Sequence, residues 1–101
     1  MEIHWRNMDE VEVEQRETVE RRLLALADGH TDLIDLRIAA KPNNHHRHGA
    51  QEVHITCQAR GKELVATRTG ADLGQALHDA VDAFVNEVRR LRDRRSDHRS
   101  A

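Results

Sequence analysis

The sequence predicts an α+β fold, a β-α-β-β-β-α two-layer sandwich with a four-stranded sheet carrying two helices on one face. Three observations predict it. Leu73, Leu77, Ala80, Phe84, Val88 and Leu91 recur every three or four residues, the period of a helix burying one side. Residues 33–41 and 53–59 instead alternate apolar and polar side chains, the period of strands with one covered face. A helical segment separates the first two strands, so that crossover makes them parallel, and the strands that follow form an antiparallel meander. Each helical stripe needs apolar sheet surface, and one face of every strand supplies it, so both helices belong on the same side.

Met1 to Asn7 reads as the first strand, with Ile3 and Trp5 facing one way and His4 and Arg6 the other. Asp9 followed by Glu12 is a candidate helix start, with room for the helix to begin a turn later. Val19, Leu23 and Leu26 form its stripe, and Asp28-Gly29 ends it. In the second strand Ile34, Leu36, Ile38 and Ala40 share the covered face, and Pro42 stops the run. Residues 43–50 (NNHHRHGA) form a polar loop without an apolar anchor. Val53, Ile55, Cys57 and Ala59 line the third strand, and Arg60-Gly61-Lys62 turns it tightly into Glu63 to Thr69. Gly70 breaks the chain, and Asp72 with Gln75 fits a capping box for the second helix. From Asp72 to Arg95 that helix spans roughly 36 Å, against roughly 27 Å for a strand of about eight residues. Its end therefore overhangs the core. Residues 1–95 make the domain, and 96–101 a flexible tail.

Composition narrows the possibilities. A chain of 101 residues suits one domain. Trp5 and Phe84 are its aromatic residues, so aliphatic packing carries stability. No apolar run is long enough for a membrane span, and no charged-then-apolar leader is present. The single cysteine, Cys57, cannot form an internal disulfide, which fits a reducing cytosol. The net charge of −2 hides an asymmetry. Residues 1–28 hold eight acids against four bases, residues 37–68 six bases against two acids, and residues 86–99 six bases against three acids. Such a chain can meet a polyanion with one surface and keep another acidic.

No Gly-rich phosphate loop, nucleophile elbow or Ser-His-Asp order appears, so the reading is non-enzymatic. Asp79 and Asp82 read as a solvated helix flank. His45, His46 and His48 are open to three readings, a solvated loop, a phosphate-contacting loop with Arg47, or a zinc- or nickel-binding cluster. The last lacks a fourth ligand at a usable spacing, and no metal or cofactor is expected. Cys57 reads as a small buried hydrophobe and Trp5 as core. The open sheet face is expected to carry His4, Arg6, Arg37, His54, Thr56, Gln58 and Arg60. The arginines are the candidates for binding, because guanidinium forks pair bidentately with phosphate. Five cluster at the end of the second helix, at Arg89, Arg90, Arg92, Arg94 and Arg95. With few exposed aromatics, contact with backbone phosphates and RNA shape fits better than base stacking.

The order of elements, the strand pair EVHITCQARGKELVA and the D-L-x-x-A-L-x-x-A-V-D run from Asp72 to Asp82 ahead of a basic tail resemble a known family. They are similar to the bacterial ribosome hibernation-promoting factors and the related ribosome-associated translation inhibitor, in the short form. The resemblance, from Ile3 to Arg95, implies a cytoplasmic factor that binds the small ribosomal subunit and its ribosomal RNA near the decoding channel. There it would block messenger and transfer RNA sterically during stress or stationary phase. It implies no small-molecule substrate and a monomer off the ribosome. By position the family's cations match Arg22, Lys41, Arg90 and Arg94, while Ala25, Ala83 and Asn86 stand where the family is usually basic and Gly74 where it has an aromatic. Arg47, Arg89, Arg92 and Arg95 complete the expected RNA-binding set. The alternative is a domain of this kind turned to protein interaction.

Overall fold

The computed structural model describes residues 1–42 and 51–99. Its elements are β1 (Glu2–Arg6), α1 (Val13–Ala27), β2 (Leu33–Pro42), β3 (Gln51–Ala59), β4 (Lys62–Gly70) and α2 (Leu73–Arg99). The sheet order is β1-β2-β3-β4, with β1 parallel to β2 and the other neighbours antiparallel. Both helices cover one face, giving the expected two-layer sandwich.

The core follows from the alternation. Leu36, Ile38 and Ala40 of β2, Val53, Ile55, Cys57 and Ala59 of β3, and Leu64 and Ala66 of β4 are buried under the helices. Ile3 and Trp5 are half-buried against this core, and the Trp5 indole Nε1–H donates to Glu20 Oε1 at 2.6 Å, so its one polar group is satisfied from α1. The Cys57 thiol is pushed up to about 11, chiefly by burial and then by the charges of Asp35 and Asp32. It stays protonated at neutral pH and packs as a small hydrophobe.

Ile34 departs from the expected pattern. It is exposed, and Leu33 is buried in its place. The β2–β3 register shifts between Leu33 and Asp35, where Leu33 pairs with Ala59 and Asp35 with Gln58. This bulge turns Ile34 outward and restores the alternation from Leu36 on. The start of α1 also differs. The helix begins at Val13, its N-cap Glu12 makes no side-chain cap bond, and the connection before it buries Met8 and Val11. Gly29, at φ +74°, takes the left-handed conformation just past the α1 C-cap Asp28.

In α2 the buried face is wider than the single stripe. Ala76, Val81 and Val85 join Leu73, Leu77, Ala80, Phe84 and Val88, because this helix packs against α1 as well as the sheet. Asp72 caps it, with Oδ1 accepting the Gln75 N–H at 2.8 Å. The reciprocal half of the capping box is absent, since the Gln75 amide donates to Asp79 instead. Asp72→Ala is expected to lower stability by about 1 kcal/mol in urea denaturation, with Asp72→Asn nearly neutral. Behind the cap, a Cβ on Gly70 would lie 3.1 Å from the Ala76 backbone nitrogen, so glycine permits the close approach of β4 to the helix start.

Candidate nucleic-acid interface

The two helices lie side by side and run in the same direction. The Gln15 side chain of α1 donates to the Gly74 carbonyl of α2 at 2.9 Å, Arg22 meets Asp82, and further along α2 Arg92 reaches Asp32 ahead of β2. The expected binding residues therefore sort by flank rather than forming one surface.

Between the helices lies a groove of about 390 Å³ whose lining includes Arg22, Ala25, His30, Arg89 and Arg92. Two of its arginines are held by carboxylates. Arg22 Nη1 donates to Asp82 Oδ1 at 2.6 Å, and this guanidinium holds the Asp82 carboxyl below the usual carboxylate range. Both side chains remain over 40% exposed, so the pair adds little stability and is easily exchanged for another anion. Arg92 is different. Its Nε and Nη2 reach Asp32 Oδ2 and Oδ1 at 2.8 and 3.0 Å, a bidentate fork with side chains 20% and 11% exposed. That hydrogen bonding, ahead of the opposing effect of burial, holds the Asp32 carboxyl below its ordinary range. Arg92, one of the expected RNA-binding set, here bridges α2 and the start of β2 through Asp32. Arg89 is exposed at the groove and, among the described residues, has no carboxylate partner.

On the other flank of α2, Arg90 shares a shallow depression with Arg68, Asn86 and Ala83, at the outer edge of β4. Its contact with Glu87, at 3.1 Å and three residues away, is exposed and weak. Arg94, one helical turn beyond Arg90, is exposed and without a carboxylate partner among the described residues. Arg68 was not in the expected set; it sits on β4, outside the charge run that drew attention to the helix.

Lys41 stands apart from all of these. It is exposed on the open face of the sheet, at the far end of β2 from Asp32, with His4, Arg6, Arg37, His54 and Thr56. Gln58 shares that face as expected, whereas Arg60 sits in the β3–β4 turn. Arg47 and His45, His46 and His48 lie outside the described residues, and Arg95 lies on α2 beyond the last described side chain.

The carboxylates weighed for chemistry have separate partners, Asp79 with Gln75 and Asp82 with Arg22 and His78. Among the described residues, Glu2, His4 and Asp35 bring three possible ligand atoms within 4.8 Å. His4 Nε2 lies 3.4 Å from Glu2 Oε2 and 2.9 Å from Asp35 Oδ1, the latter without an aligned hydrogen bond. Imidazole–carboxylate attraction at an exposed edge accounts for this grouping. No helix among the described residues is long and apolar enough to cross a membrane.

A four-stranded sheet backed by two parallel helices, with arginines gathered toward the helix ends, defines a small two-layer α+β domain carrying its cations on helix flanks. The chain belongs to the family described as sigma 54 modulation protein / S30EA ribosomal protein, a ribosome-associated family whose model matches residues 1–96. Among solved structures it is similar to a ribosomal subunit interface protein from Coxiella burnetii, at 13% identity and a TM-score of 0.71, covering 92% of this chain and 99% of that one. It is also similar to the Protein Y N-terminal domain of Thermus thermophilus, at 19% identity and a TM-score of 0.65, covering 90% and 97%. At these identities the likeness establishes the fold. Comparison with curated protein sequences finds no match.

Proposed function

We propose that this protein is a non-enzymatic translation inhibitor that binds the small ribosomal subunit near the decoding channel and blocks messenger and transfer RNA by occupying their path. Family membership over residues 1–96 carries the reading, and the described relatives, one a ribosomal subunit interface protein, agree with it. The chemistry fits. Beyond Arg92 the α2 backbone continues for seven residues to Arg99, roughly 10 Å past the anchored turn, and Arg94 stands on that projection. Arg89, Arg90 and Arg94, with Arg22 once released from its exposed partner, offer guanidinium forks to ribosomal RNA phosphates. Arg95 and Arg47 complete the set on the strength of the sequence. The protein acts in the cytoplasm, as a monomer off the ribosome, during stress or stationary phase.

Co-sedimentation with purified small subunits tests the proposal. The parent chain is expected to pellet with subunits at low salt and to dissociate as salt rises. Arg90→Ala combined with Arg94→Ala is expected to weaken binding on the order of tenfold or more and to flatten the salt dependence. No binding at low salt, or unchanged binding by the double variant, overturns it.

A second reading rests on a specific observation. Of the groove arginines, Arg22 and Arg92 are held by the protein's own carboxylates, while α1 exposes Glu14 and Glu17 beside Glu12. A surface so neutralised suits a protein partner. A pull-down returning a protein without ribosomal RNA would favour it.

A further inference from the structure

The open face of the sheet carries a basic cradle that the helix-flank reading does not use. Ala39 is its centre. On β1 the residue opposite Ala39 is Arg6, and on β3 it is His54. Two residues either way along β2 stand Arg37 and Lys41, on the same face because side chains alternate. Opposed positions set Cβ atoms roughly 5 Å apart and next-but-one positions on a strand roughly 7 Å apart, so four basic side chains ring one methyl group. The resulting depression has a volume of about 460 Å³, and its lining, which also includes His4, Trp5, Ile38 and Thr56, contains no carboxylate among the described residues.

Two acids border the ring, Asp35 on β2 and Glu52, which stands opposite Lys41 on β3. Asp35 approaches Arg37 at 3.9 Å, with Arg37 75% exposed. Glu52 lies 3.3 Å from His54 Nε2, and Thr67 Oγ1 is 3.3 Å from Nδ1 of the same ring. Arg6 and Lys41 have no carboxylate partner among the described residues. Forked and single-point N–H donors converging on a small apolar floor match a tetrahedral oxyanion, which takes the place of Glu52 at the His54 ring. The place is remote from the helix-end arginines. It lies on the opposite side of the sheet, and Lys41 is nine residues along β2 from the Asp32 that anchors Arg92, about 30 Å of strand.

We infer that this cradle is a second anion site, one that holds a phosphate group through Arg6, Arg37, Lys41 and His54 over Ala39. The phosphate comes either from an RNA backbone crossing the sheet or from a free nucleotide. A backbone there would let the protein hold two RNA segments, one on each layer; a nucleotide would make the sheet a small-molecule sensor. The site stands whether or not the helix flank binds the ribosome.

Amide NMR on the full chain, titrated separately with a short single-stranded RNA and with adenosine diphosphate, tests it. Resonances of Arg37, Ala39, Lys41 and His54 are expected to shift with at least one probe. Shifts with RNA that adenosine diphosphate neither reproduces nor displaces assign the phosphate to a backbone; shifts with the nucleotide, displacing RNA, assign it to a free nucleotide. Ala39→Glu fills the floor with a carboxylate and is expected to abolish the shifts and weaken binding on the order of tenfold. Arg37→Gln with Lys41→Gln, which changes only exposed side chains, serves if that variant does not fold. Losing the cradle's hold on its one phosphate should reduce the salt slope for single-stranded RNA by up to roughly 0.7. Arg90→Ala with Arg94→Ala should leave the cradle shifts in place, separating this site from the ribosome-binding reading. If neither probe moves these resonances, or if a folded Ala39→Glu chain binds both as tightly as the parent, the cradle is not a phosphate site.

Discussion

Phe84→Ala is expected to remove about 3–5 kcal/mol of folding stability, a large share of the roughly 5–15 kcal/mol that holds a domain of this size together. Phe84 is fully buried and is the largest side chain in the core. Ala80, one turn before it on α2, is fully buried and cannot swing to fill a void, and much of the remaining core is β-branched or small. The cavity therefore stays open, and the lost contacts add to the lost transfer energy. Phe84→Leu keeps most of the volume and is expected to cost less than about 2 kcal/mol. Urea denaturation followed by far-UV circular dichroism checks both, with the midpoint falling and the slope unchanged. A loss under about 1 kcal/mol for the alanine variant would mean that α2 does not press its phenylalanine into the sheet as described. The weight falls on α2 because the buried residues of α1 are Val19 and Leu23.

What could be foreseen and what could not divides along a physical line. The elements were visible in short-range periodicity. The stripe from Leu73 to Leu91, the alternation of Val53, Ile55, Cys57 and Ala59, and the glycine turns at Gly29 and Gly61 each depend on neighbours a few residues away. The β2 bulge was not visible, because Leu33 and Ile34 are both apolar and only the pairing with Ala59 and Gln58 decides which turns inward. Met8 and Val11 escaped for a similar reason, since they sit in a connection whose burial depends on the helices it joins. For the candidate interface, residue type was legible and geometry was not. The sequence marks Arg22, Arg89, Arg90, Arg92 and Arg94 as cations on helices, yet their partners Asp82 and Asp32 lie 60 residues from Arg22 and Arg92. No local pattern encodes a contact at that separation. Lys41 shows the same limit: its period assigns it to the open face, and only the sheet register sets it opposite Glu52 and diagonal to Arg6 and His54.

Asp32→Ala should be the most damaging change outside the apolar core, at about 2–3 kcal/mol. A fully buried pair broken on one side loses about 3–5 kcal/mol, and the smaller figure follows because Arg92 keeps a fifth of its surface in water. The cost comes mostly from stranding a guanidinium against the start of β2. Asp32→Leu with Arg92→Leu removes both charges and is expected to recover much of it. The pair also makes a pH signature. Because the folded Asp32 carboxyl is held below its ordinary value, its contribution is fully present above about pH 4 and is lost as pH falls through the folded value. The stability gap between the parent and Asp32→Asn should be flat across neutral pH and close only in acid. The same geometry separates strut from ligand. Arg92→Ala should cost stability yet leave the salt slope of ribosome binding in place, whereas Arg94→Ala should leave stability in place and lower the slope by roughly 0.7–0.9. If a folded Arg92→Ala chain instead lost that increment of slope, Arg92 would be gripping phosphate on the ribosome, and its fork on Asp32 would be a resting state that RNA displaces.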